Sequence, residues 1–165
     1  MARIGSMVAA QVVRLLTGPN GANLRLTSLR TAAEASAMDP GALEVRAQNA
    51  PADLVERGEI ARYPMVLVYC EKVNNNLVEK FRTFSGMVSM AAEVRHSKDR
   101  LQGLQDGLEL CADAVTQVLD SNRGDWGSGI YYAGGYQVTY GPVKHGGQNY
   151  LQTAKVTFEI GVSLS

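Results

Sequence analysis

Apolar residues recur at helical spacing over residues 2–17, where Val8, Val12, Leu15 and Leu16 share one side. Gly18-Pro19-Asn20-Gly21 stops that run. A polar, Ala-rich stretch follows, with a short helix predicted near 28–37 and a break at Asp39-Pro40-Gly41. Residues 42–62 predict a short extended piece around Leu43 and Val45, a turn at Ala50-Pro51 and then a helical turn. From Pro64 the pattern changes. Met65-Val66-Leu67-Val68-Tyr69-Cys70 is a continuous apolar run, suited to a strand covered on both faces. Asn74-Asn75-Asn76 predicts a turn. Residues 80–96 then alternate, with Phe84, Val88, Met90, Ala92 and Val94 on one face. Gly86 within that run marks a bulge or a close backbone approach. Lys80, Arg82, Glu93 and Arg95 are expected to keep the ends of the strand in water.

Ser97 reads as an N-cap and Asp99 as a first-turn acid, opening a long helix over about 98–120. Its apolar stripe is Leu101, Leu104, Leu108, Cys111, Val115 and Val118. Its opposite face carries Gln102, Asp106, Glu109, Asp113, Gln117 and Asp120. A loop from Asn122 to Gly129 follows, then strands near 130–140 and 150–163 joined through Pro142 to Gly147. In the last strand Ala154, Val156, Phe158, Ile160 and Val162 alternate with polar residues. The pattern predicts one α+β domain: a four-stranded, mostly antiparallel β-β-α-β-β sheet, a long amphipathic helix on one face and an N-terminal helix. Residues 1–17 form that helix, 18–63 an irregular loop or arm, and 64–163 the core.

Composition narrows the function classes. The 165 residues carry 16 Lys and Arg against 16 Asp and Glu, so the overall basic excess of a nucleic-acid binder is missing. A hydrophobic share of 45% supports a packed core rather than a disordered chain. Cys70 and Cys111 lie far apart in apolar patterns and are expected to be buried free thiols in a reducing compartment. Gln11 and Arg14 interrupt the N-terminal apolar run, so no signal peptide is expected, and no segment is apolar enough to span a membrane. His96 and His145 have no second ligand at metal spacing. No nucleophile elbow is present, and the glycines of 124–147 interrupt strands rather than open a helix around a phosphate. No catalytic, cofactor or metal residue is assigned, and the chain is not expected to be an enzyme. A pocket using the Gly-rich 124–147 segment, lined by Trp126 and His145, would be the mark of the competing ligand-binding or enzymatic reading.

Three features point instead to contacts between proteins. Residues 124–165 carry four charged residues, with the only Trp and five of the seven Tyr. Interface centres are poor in charge and rich in these aromatics, so Trp126, Tyr131, Tyr132 and Tyr136 are candidate subunit contacts. Adjacent Tyr131 and Tyr132 cannot both face the core of one strand. Residues 1–30 hold four arginines and no acid, with Arg3 and Arg14 as candidate contacts. Residues 99–120 hold five acids and one arginine, with Asp106, Glu109 and Asp113 as their counterparts. Complementary segments on one chain permit head-to-tail pairing between copies, which closes into a ring when the rotation allows.

The chain also resembles a family. A helix, a variable loop, Pro64-Met65-Val66-Leu67-Val68-Tyr69, a second long strand, a two-sided helix and a C-terminal β-hairpin follow in order. The hairpin runs from Gly134-Gly135-Tyr136-Gln137-Val138 through Tyr150-Leu151-Gln152-Thr153-Ala154-Lys155-Val156-Thr157-Phe158-Glu159-Ile160. This order and strand texture resemble the tail-terminator, or tail-completion, proteins of long-tailed bacteriophages and related neck proteins. The resemblance implies a structural protein of the virion, assembled in the bacterial cytoplasm. Six copies would form a ring on the last ring of the tail tube and offer a surface to the head connector or stopper. DNA would be met only by passage through the ring, where Arg3, Arg14, Arg25 and Arg30 are the first residues to consider. Another head-tail neck protein is the alternative within the same class.

Overall fold

The computed structural model describes residues 3–32, 41–49, 63–77, 79–146 and 148–165. The first helix, α1, spans Ile4–Thr17 and buries Ile4, Val8, Ala9, Val12 and Leu16. The glycines at 18 and 21 make the tight corner after it: Gly21 donates to the Gly18 carbonyl at 2.9 Å and lies directly against the Leu16 carbonyl. A second helix, α2, starts at once and spans Ala22–Ala32. It begins six residues before the helix predicted near 28, because Ala22 and Leu26 are its buried anchors. The break at 39–40 and the turn and helical turn of 50–62 lie outside the described residues. The extended piece around Leu43 is strand β1, Glu44–Ala47.

Three long strands form the body of a curled sheet: β2 (Met65–Asn75), β3 (Phe84–Lys98) and, at the C-terminus, β8 (Asn149–Leu164). β3 is central and antiparallel to both neighbours, in register from Phe84 opposite Leu164 to Lys98 opposite Tyr150. Side chains on one face form rows across the three strands: Val66, Val94 and Ala154; Val68, Ala92 and Val156; Cys70, Met90 and Phe158. The helices cover this face. The helix after β3, α3, spans Leu104–Ser121 and packs on β3 and β8, while α1 packs on β1 and β2 and α2 lies against α3.

The sheet is larger than the four strands predicted. The expected loop of 122–129 contains β4 (Gly124–Gly127), which pairs with β5 (Ile130–Tyr132). The single strand predicted over 130–140 is two: β5, and β6 at Gln137–Tyr140. Gly134 and Gly135 separate them with φ of 104° and 90°, in the region that glycine adopts without a steric cost. The connection to β8 contributes β7, Lys144–Gly146. β5, β6 and β7 lie in succession along β8 and act as one segmented fourth strand. β1, parallel to β2, and β4 extend the order to β1-β2-β3-β8-β5-β4.

Five further expectations are corrected. Asn74 and Asn75 are strand residues, because β2 continues to pair until Asn75 meets Gly86. Ser97 is no helix cap: it pairs with Leu151 inside β3, and α3 begins after Gly103, whose φ is 78°. Leu101 therefore lies before the helix and is exposed. Arg95 is not at a wet end. It is 1% exposed, and its guanidinium donates to Glu93 at 2.9 and 3.0 Å. Among the cysteines, Cys111 is buried but Cys70 is only half-buried, and neither forms a disulfide. No described helix is long and apolar enough to cross a membrane.

Candidate assembly surfaces

The aromatic end resolves into an inner and an outer set. Tyr132 is fully buried, stacked between Trp126, with ring centroids 5.7 Å apart, and Phe158, at 6.0 Å edge to face. Its hydroxyl donates to the Gly135 carbonyl at 2.9 Å. Burial, with the Asp120 charge second, pushes that hydroxyl up to about 12. Tyr132 is thus a core residue, and a partner cannot reach it. Trp126 is half-buried above it, and its indole N–H donates to the Asn122 carbonyl at 2.6 Å. Tyr131 points the other way and is 54% exposed, as the alternation along a strand requires. Tyr136 is exposed too, but its hydroxyl donates to Asp120 at 3.2 Å, and Arg123 donates to the same carboxylate at 3.1 Å. That triangle latches the Gly134-Gly135 turn onto the last turn of α3.

The acidic candidates share one exposed stripe. Asp106, Glu109 and Asp113 recur at three- and four-residue steps on α3. Among the described residues no cation pairs with any of them. Burial, and then Glu109, raise the Asp113 carboxyl above the ordinary range. Exposed Tyr140 on β6 lies beside the stripe: the Gln152 amide ties its neighbour Gly141, at 3.1 Å, to Gln105 in the first turn of α3, at 3.3 Å, and the Tyr140 hydroxyl is raised by burial and then by Glu109 and Asp113. Like charges at these spacings each cost an isolated helix about 0.2–0.5 kcal/mol, so the stripe is kept against the interest of the helix itself.

The arginines are not brought into one patch. Arg3 precedes α1 and Arg14 lies in its last turn, roughly 16 Å further along the helix axis at 1.5 Å per residue. Both are exposed. Arg25 on α2 turns inward, donating to Ser121 at the end of α3 at 3.0 Å. Arg30 reaches Thr27 on its own helix at 3.5 Å.

The face of the sheet away from the helices carries a lattice of charges. Glu44 pairs with Arg46 at 2.6 Å, Glu93 with Arg95 at 2.9 Å, and Glu71 with Lys155. The Lys155 ammonium also sits 6.0 Å from the Tyr69 ring centroid. Nothing in the sequence alone pairs Glu71 with Lys155, which are 84 positions apart; only the strand register brings them together.

Open grooves indent the surface. One of about 580 Å³ lies where α1 crosses β1 and β2, lined by Arg3, Gly5, Ala9, Val68 and Cys70 among others. Two more, about 490 and 320 Å³, lie over Gly135 to Gln137 and over Ser85 to Met87. Neither Trp126 nor His145 lines these three. His145 is exposed on β7 against the Tyr150 ring, at 4.8 Å. His96 is buried on β3 opposite Gln152, and both its ring nitrogens and the Gln152 Oε1 lack a hydrogen-bond partner among the described residues. Burial, with Lys98 second, lowers His96 to about 4. Among the described residues no group of three or more His, Cys, Asp or Glu could hold a metal ion.

Compared with models of known protein families and with curated proteins, the chain matches none.

Proposed function

We propose that the protein is a structural assembly protein of a phage virion, acting as a tail terminator: a homo-oligomeric ring, most simply a hexamer, that caps the tail tube and joins it to the head connector or stopper. The observation that carries this reading is the layered order: α1, the long β2–β3 pair, α3 on one face, and a segmented hairpin ending in β8. That is the order on which the resemblance to tail-completion proteins rests. The surface supports it. Arg3 and Arg14 at the two ends of α1 and an acidic stripe on α3 that no cation pairs among the described residues lie on separate elements of one protomer, as a head-to-tail contact needs. Tyr131 and the rim of Trp126 add uncharged aromatic area to such a contact.

The mechanism is steric. One face of the ring reproduces the contacts of the next tube ring and binds the tail end. The other face lacks them, and growth stops there. Tail-tube protein from the same genome, polymerised with and without this chain, tests it by electron microscopy. The reading expects rings seated on one end of each tube and an arrested length distribution. Tubes of unchanged length with bare ends would overturn it.

A further inference from the structure

The turn between β2 and β3 is built with unusual care around an exposed aromatic residue. Phe81 is 100% exposed and has φ of 66°; Leu77 is 59% exposed with φ of 48°. A left-handed backbone at a bulky residue is strained and persists only where its surroundings enforce it. Here they do. The Asn75 side chain accepts from the backbone N–H of Ser85 at 3.1 Å and of Leu77 at 3.4 Å, and donates to the Thr83 carbonyl at 3.4 Å. The Glu79 carboxylate accepts from Ser163 at 2.9 Å and from Arg82 at 3.2 Å. Thr83 N–H is tied to the Leu164 carbonyl at 2.9 Å. The backbone of the tip is therefore braced on both sides of Phe81, whose ring stands fully in water between exposed Lys80 and an Arg82 that is paired with Glu79.

A knob of this chemistry fits an exposed surface that is acidic and carries an aromatic ring. The α3 stripe of Glu109 and Asp113, with Tyr140 beside it, is such a surface. A protomer cannot use its own: Tyr140 pairs with Ala154, which faces Val94, so it lies ten residues, about 33 Å, along β3 from the Phe84 end where the tip sits. We propose that Lys80-Phe81 docks on the α3 stripe of a second copy, Phe81 against Tyr140 and the Lys80 ammonium over Glu109 and Asp113. The proposal rests on the reading that copies of this chain associate, and it names the contact that holds them. Because knob and stripe are different surfaces, the contact is head-to-tail and leaves one of each free until a ring closes.

Sedimentation velocity of the full-length chain over a range of concentration tests it, with Phe81→Gly, the double variant Glu109→Lys/Asp113→Lys, and Lys80→Glu. Glycine relieves the backbone strain, so Phe81→Gly is expected to melt at the same temperature as the parent or higher. It should nevertheless associate at least tenfold more weakly, a combination that simple loss of fold does not produce. The double variant should associate as weakly, and mixing it with Lys80→Glu should restore heterologous association. A parent that associates while Phe81→Gly and the stripe variant associate equally well overturns this contact but leaves self-assembly standing. A parent that stays monomeric throughout, with the tail tube present as well as without it, overturns both.

Discussion

His96 shows most simply how a buried polar side chain couples this fold to its solvent. Its imidazole is held neutral, with the folded value near 4 against an ordinary 6.5. Between those values the unfolded chain binds the proton and the folded chain does not. Stability attached to this group is therefore present above about 6.5, is lost as pH falls toward 4, and changes no further below. The loss is of the order of 2–3 kcal/mol. Denaturant melts from pH 7 to 4 should show it, and His96→Leu should flatten that portion of the profile. Glu93 is the second such residue. Removing its charge with Glu93→Gln weakens two bonds to a guanidinium that is almost wholly buried, and should cost about 1.5–3 kcal/mol by equilibrium denaturation. Gly86 is the third. A Cβ there would drive into the Asn74 carbonyl, which is backbone and cannot turn aside. Gly86→Ala should therefore destabilise by about 1–3 kcal/mol.

At the scale of elements, α3 is the clamp. Leu108 is fully buried where the helix meets the sheet, and Leu108→Ala should cost about 2–5 kcal/mol, more than any surface change on the same helix. The interior of α3 was legible in the sequence because its three- and four-residue spacing has one physical reading. Its start was not. Ser97 and Asp99 carry the chemistry of a cap, but cross-strand pairing with Leu151 holds Ser97 in β3, and a glycine six residues later makes the turn. The asparagines at 74–76 mislead in a similar way. They do mark the corner, but Asn75 marks it from inside the strand, through its side chain. The segmentation of the fourth strand was half legible: the glycines at 134 and 135 announce a bend, while β4 and β7 are too short to impose any periodicity. Of the candidate contacts, the acidic stripe could be read from spacing alone. Tyr140 beside it, and the inward turn of Tyr132, follow from the register with β8 and from Gly135. The Phe81 knob left no periodic signal, since a loop residue belongs to no pattern of burial.

For the whole molecule, a formal charge of zero conceals an uneven surface. Among the described residues, charges on the outer face of the sheet are largely spent on each other, while those of the α3 stripe are not. Association between copies should accordingly weaken as salt rises and the Debye length shortens toward about 3 Å at 1 M, which light scattering in a salt series would record. Ring closure is the step that the proposed function cannot do without. Mass measurement by light scattering across concentration, paired with negative-stain electron microscopy of the same samples, addresses it most directly. Ring closure gives a closed species at a fixed multiple of the 17.8 kDa protomer, six-fold in projection. A protomer-sized particle at every concentration, with or without the tail tube, would contradict it.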